Sequence, residues 1–297
     1  MDFSAIGKKI RELRKNIGLS QEDVAEGICT QAQISKIEKG IVYPYASTLY
    51  QISQKLGVDV NYFFDIGMTP RLDYIQEVEN QLKVLRRSLQ YEEMMDIIRM
   101  EVGNPLFSHN KKNLQLLLWH KGIYQNEVQS DHIKASETLE EAIKLTQISN
   151  KVWSERELEI LMTMGAFYIN DDIHKALDIF KEVKVHIEAV PHLIDLTIIT
   201  RLYYHIARVL TRLQRLDESI EYCKRGINWC IQKDNMFALG ELHYHIGYNY
   251  ELKGELDLTR DYLNKALIVF ELQKDDKYVQ LLRNKINDLT TKGTETE

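Results

Sequence analysis

The chain has 297 residues, 44% of them hydrophobic and 28% charged, with a formal net charge of −6. That is apolar material for one large core or two domains, and no apolar run approaches the about 18 residues a membrane helix needs. Met1-Asp2-Phe3-Ser4 and the lysines that follow lack the apolar centre of a signal peptide, so a cytoplasmic, globular protein with no membrane segment is expected.

The first predicted helix turns Ile6, Ile10 and Leu13 inward and Lys8, Lys9, Arg11, Arg14 and Lys15 outward. Two short helices follow. Val24, Ala25 and Ile28 give one its apolar face, and Ile34 and Ile37 give the next its inward side. Ser20 and Thr30 stand where N-caps are needed, because each hydroxyl can accept a bond from an orphan backbone N–H, and Gly40 stops the second helix. With the isoleucines inward, Gln31, Ala32, Ser35 and Lys36 share the opposite face. Glutamine can bond the N6/N7 edge of adenine, lysine can reach guanine O6/N7, and an alanine methyl can touch that of thymine. Thr30 and Lys39 complete the candidate DNA-facing set, and Gln21, at the start of the preceding helix, suits a phosphate. The plain alternative is a helical hairpin with a solvated polar face.

Leu49, Ile52 and Leu56 continue at helical spacing, and Val58-Asp59-Val60 leads to Phe63-Phe64, which makes five helices in a first domain of residues 1–66. Over residues 4–65 the pattern resembles the Xre/Cro-type, lambda-repressor-like helix-turn-helix, with Gln21, Ala25, Ile34, Ser35, Glu38 and Gly40 at its signature positions. Two departures concern the turn: Cys29 stands where the family usually has glycine, and the segment from Ala25 to Ile34 is one residue short. Residues 1–65 hold eight Lys/Arg and eight Asp/Glu, so the net negative charge lies entirely beyond them. A neutral DNA domain on an acidic body implies a few placed contacts and a homodimer on a palindromic site rather than non-specific polyanion binding.

From Pro70 onward the periodicity is helical, with Pro105 and Pro191 at expected junctions. A small residue recurs at Gly122, Gly165, Ala207 and Gly247, 43, 42 and 40 residues apart. Each is followed by a triplet spaced four and then three: Ala135/Leu139/Ala142, Ala176/Phe180/Val183, Ser219/Cys223/Gly226 and Thr259/Leu263/Ala266. Small residues let paired helices approach, and the larger middle residue fills the groove between them.

These repeats resemble degenerate tetratricopeptide repeats, most clearly in His243 to Tyr250 followed by Tyr262 to Ala266. With an earlier hairpin from Leu72 to Val102 they imply about five hairpins over residues 67–291, a right-handed α-solenoid capped by Lys277 to Leu289, and a disordered tail at 292–297. The all-α class follows. In such repeats the first helix lines the concave face, which implies that Arg201, Tyr204 and Arg208 face the hollow beside Glu241, Tyr244 and Tyr248, a set suited to an extended peptide. Tyr203 and Tyr250 are expected to pack between repeats.

The combination resembles the PlcR-type peptide-responsive quorum-sensing regulators of Gram-positive bacteria, the shortened turn at Ile28-Cys29-Thr30-Gln31 and the Val42-Tyr43-Pro44 segment included. The resemblance implies a re-imported signalling peptide on the concave face of a homodimer that activates genes at a palindromic site. Carried over, a basic peptide contact falls on Arg87 and a second on Leu89, two polar amides fall on His205 and Glu241, and a tyrosine falls on Tyr278. The mismatches imply a different peptide. A repeat domain that binds a protein partner, or only dimerises, is the alternative. Cys29, Cys223 and Cys230 form no CxxC pair, and the nine histidines form no HExxH spacing, so no metal, cofactor or enzyme chemistry is expected. An oxidant-sensing role for Cys29 would need an activating base.

Overall fold

Helix α1 (Phe3–Ile17) carries Ile6, Ile10 and Leu13 on one stripe, and that stripe decides how the next four helices fold over it. They are α2 (Gln21–Ala25), α3 (Gln31–Glu38), α4 (Ala46–Lys55) and α5 (Val60–Met68). Ile6, Ile10, Val24, Ile34, Ile37, Leu49, Ile52 and Phe63 form their buried core. The structure is a computed structural model that describes residues 3–68, 71–149, 151–190 and 192–294. At Gly7, helix α1 comes so near α3 that a Cβ would stand 2.1 Å from the Ile37 carbonyl oxygen, so only glycine fits.

One expectation for α1 is corrected. Arg14 is buried rather than turned to solvent: it donates to Glu38 at 2.6 and 3.1 Å and to the Leu19 carbonyl at 2.7 Å. Glu38 is itself buried, and a buried carboxylate must be paired. The pair spans 24 residues, which a local periodicity cannot register.

The hairpin α6 (Leu72–Arg87) and α7 (Tyr91–Glu101) follows, then the single turn α8 (Pro105–Ser108), whose proline stands at N1 where its missing N–H costs nothing. Pro70 and Pro191 lie outside the described residues. The chain forms two compact units, Met1–Leu114 and Gln115–Glu297, divided within α9 (Lys111–Glu127). In the second unit the pairing continues: α9 with α10 (His132–Thr146), α11 (Glu155–Phe167) with α12 (Ile173–Glu188), α13 (Thr197–Arg212) with α14 (Leu216–Gln232), and α15 (Leu239–Leu252) with α16 (Leu256–Gln273). Helix α17 (Asp276–Thr294) closes the series against α16. It takes in the first three residues of the tail expected to be disordered from Lys292, and 295–297 lie outside the described residues. Seventeen helices and no strand are present among the described residues, and none of these helices is long and apolar enough to cross a membrane.

The repeating small residues are where paired helices touch. A Cβ on Gly122 would meet Leu139 at 2.6 Å, one on Gly165 would meet Phe180 at 2.8 Å, and one on Gly247 would meet Leu263 at 3.1 Å. Each partner is the middle member of the triplet. In the fourth hairpin Ala207 and Cys223, smaller on one side and larger on the other, are both fully buried. The turns repeat as well: Leu89, Ser130, Gln214 and Gly254 have φ of 59°, 53°, 59° and 78°, each two residues before the next helix begins. In three of them the next N–H reaches five residues back at 2.9 Å, Gln90 to Leu85, Arg215 to Leu210 and Glu255 to Tyr250, a Schellman closure that satisfies an orphan carbonyl.

Candidate functional site

The first candidate face is that of α3. Thr30 caps the helix by accepting from the Gln33 N–H, and Ser20 caps α2 within a capping box closed by Asp23, so both short helices begin where their hydroxyls stand. Ser20 in turn holds the Asp23 carboxyl below its usual range by hydrogen bonding. Gln31, Ala32, Lys36 and Lys39 are exposed and Ser35 is half-buried, with Ile34 and Ile37 in the core beneath them. Gln21 is occupied differently from its expected place on a phosphate: its Nε2 donates to Glu38 at 2.8 Å, and its Oε1 accepts from Gln31 Nε2 at 2.7 Å. A relay therefore runs from the buried Arg14–Glu38 pair through Gln21 to Gln31 and fixes that amide's orientation. A primary amide has two N–H donors and an oxygen, so Gln31 keeps one of each for a base edge. Helix α2 ends at Ala25, and Gly27 turns the chain with φ of 74°, which leaves Ile28 outside the helix yet packed on the core. Burial pushes the Cys29 thiol up, toward the protonated form, and its Sγ lies 3.7 Å from the Thr30 carbonyl, the reverse of an activated thiolate.

The second candidate face lies in the second unit. Tyr204 and Arg208, one turn apart on α13, meet Tyr244 and Tyr248, one turn apart on α15, around a cavity of about 500 Å³. The spacing of four puts each pair on one side of its helix. The Arg208 guanidinium stands 5.9 Å from the centre of the Tyr204 ring, and among the described residues no carboxylate pairs with it. Thr211, Arg212, Gln214, His245 and Leu252 complete the lining and were not anticipated from sequence. Thr211 and His245 belong to a buried network: the Thr211 hydroxyl lies 2.9 Å from His245 Nε2, 2.8 Å from Ser219 Oγ and 2.8 Å from Asn249 Oδ1. Burial, with Arg208 nearby, lowers the His245 pKa to about 4, so the imidazole is neutral at neutral pH. The only advance signal for Thr211 was its place one turn beyond Ala207.

Of the other expected contacts, Arg201, His205 and Tyr278 are engaged by protein groups. Arg201 is half-buried between Glu159 and Asp195, the latter at 3.2 Å, so its charge is matched within the protein. His205 stacks on Phe180 with ring centres 5.3 Å apart, and burial drives its pKa to about 3. Glu241 is half-buried with Oε2 unpartnered, and burial raises its pKa. Tyr278 stacks on Phe270 at 4.7 Å. Arg87 is exposed in the last turn of α6, in the first unit, and Leu89 follows it in the hairpin turn. Tyr203 and Tyr250 pack on Tyr222 and Tyr262, from the second helices of their own hairpins.

Comparison with known proteins gives this arrangement its context. Residues 7–65 match a helix-turn-helix domain, and residues 79–289 match the RNPP family C-terminal domain. The structure is similar to that of Bacillus thuringiensis PlcR in complex with the peptide PapR7 and DNA, with a TM-score of 0.85 and 21% identity over 94% of this chain and 99% of that one. It is also similar to ComR from S. thermophilus in complex with DNA and its signalling peptide ComS, with a TM-score of 0.67 and 15% identity over 96% and 99%. At these identities the likeness is one of fold. An uncharacterized HTH-type transcriptional regulator of Sinorhizobium medicae is 44% identical over 61 residues, 20% of this chain, and the match spans 44% of that relative's length. With its C-terminal match covering more than half of its length and a helix-turn-helix ahead of it, the chain belongs to the RNPP family, whose members are transcription regulators rather than enzymes.

Proposed function

We propose that this chain is a sequence-specific DNA-binding transcription activator of the cytoplasm, controlled by a short signalling peptide and working as a homodimer on a palindromic operator. Residues 1–66 take the DNA and residues 67–291 take the peptide. The observation that carries the reading is the cavity between α13 and α15: three tyrosines and an arginine that, among the described residues, has no carboxylate partner suit an extended peptide that ends in a free carboxylate. Arg208 takes that carboxylate, and Tyr204, Tyr244 and Tyr248 supply flat apolar contact. Arg201, already matched by two acids, holds the wall in place. On the DNA side Gln31, Ala32, Ser35 and Lys36 read base edges, while Thr30 and Lys39 approach the backbone.

Thermal melting of the full chain with synthetic heptapeptides tests this. A ligand specific for the folded state stabilises it by about 2.7 kcal/mol at a hundred times its Kd, so a bound peptide raises the midpoint. If no heptapeptide raises it while operator binding is intact, the repeat domain serves dimerisation or a protein partner instead.

A further inference from the structure

The wall of the cavity between α13 and α15 holds a second arginine. Arg208 and Arg212 stand four residues apart on α13, one above the other on the side that lines it. Arg208 is half-buried beside Tyr204, whereas Arg212, Gln214 and Leu252 are the exposed members of the lining and form its mouth. The Arg212 guanidinium is fixed there: its Nη1 donates to the Ile169 carbonyl at 2.7 Å and to Asn170 Oδ1 at 2.8 Å, in the turn between α11 and α12. Both acceptors are neutral, and among the described residues no carboxylate pairs with Arg212. A guanidinium has five N–H donors, so the Nε–Nη2 edge stays uncommitted. By that same edge Arg14 grips the two oxygens of Glu38, at 2.6 and 3.1 Å. Like charges at this spacing on a helix repel, and the described lining of the cavity contains no acid to offset them.

We infer that Arg212 is a ligand-binding residue that reads an acidic side chain near the C-terminus of the peptide, so that the effector presents two carboxylates to α13, the terminal one to Arg208 and that of an aspartate or glutamate to Arg212. This rests on the peptide reading of the cavity and adds a sequence requirement to it. The spacing sets where the acid falls. Four residues of helix rise about 6 Å, and an extended peptide advances about 3.3 to 3.6 Å per residue, so the second carboxylate belongs to one of the last three residues. The anchor at Nη1 holds the fork in place before the ligand arrives, which lowers the ordering cost of gripping it.

The test is affinity selection from a random heptapeptide mixture by the full-length chain, in one free-acid and one C-terminally amidated pool, with the retained peptides sequenced by mass spectrometry. Wild type is expected to retain free-acid peptides enriched in aspartate or glutamate at one fixed position among the last three. Arg212→Gln loses that enrichment, by about tenfold for one charge-assisted contact, while Arg212→Lys, which keeps the charge, retains most of it. Both variants keep the wild-type circular dichroism, and the preference for a free C-terminus, assigned to Arg208, persists in Arg212→Gln. A loss in Arg212→Lys as large as in Arg212→Gln would trace the effect to the anchored wall rather than to the charge, and overturns the inference. Enrichment that is absent in wild type, or unchanged in Arg212→Gln, overturns it as well and leaves the peptide reading standing. Retention of no peptide from either pool overturns the peptide reading itself.

Discussion

His245 is a buried imidazole that the folded state keeps neutral, and this makes stability depend on pH. Its folded pKa of about 4 lies below the unfolded value near 6.5, so the unfolded chain binds the extra proton. The contribution is complete above pH 6.5 and is lost as pH falls toward 4, about 3 kcal/mol in all. His205, lowered to about 3, acts in the same direction. Denaturant titrations are expected to give a lower unfolding free energy at pH 5 than at pH 7, with a smaller difference in His245→Gln. On α3, Gln31→Ala and Lys36→Ala are each expected to lose about 1 to 3 kcal/mol of base discrimination, measured as binding to the selected operator and to single-base variants. Wild-type discrimination in both would remove this face as the reader. The arginines show what a sequence can disclose at this scale. Repeat register brought Tyr204, Arg208, Tyr244 and Tyr248 to one cavity, because register is local. It could not separate Arg208 from Arg201, since the acids that match Arg201 include Glu159, 42 residues away.

At the scale of the element, the fold was legible wherever a small residue marks a helix crossing. Gly122, Gly165, Ala207 and Gly247 could be aligned from spacing alone: at the three glycines the close approach leaves no room for a Cβ without a shift of the facing side chain, and Ala207 is fully buried. The hairpin turns were not, since left-handed residues there include Leu89, Ser130 and Gln214, which carry no glycine signal. Gly165→Ala should press a methyl into Phe180 and cost about 1 to 3 kcal/mol, seen as a lower Tm. Leu89→Gly should do the opposite and raise stability by up to about 1 kcal/mol through relief of its left-handed φ. Arg14→Met, which strands Glu38 in the core, is expected to cost about 3 to 5 kcal/mol in the first unit, and Arg14→Met/Glu38→Leu should recover most of it.

At the scale of the whole molecule, a charge-neutral helix-turn-helix offers few phosphate contacts, so tight binding calls for two copies on an inverted repeat. Ultracentrifugation is expected to find a dimer on operator DNA, and monomer alone, with or without DNA, would end that reading. The central claim is that peptide and DNA act through one another, and linkage makes that a single measurable quantity. The decisive measurement is the Kd of the full chain for its selected operator, with and without saturating peptide recovered from the heptapeptide selection. The account expects the peptide to tighten operator binding by about 5- to 150-fold and the operator to tighten peptide binding by the same factor. An operator Kd that is identical in the free and peptide-saturated protein would contradict it.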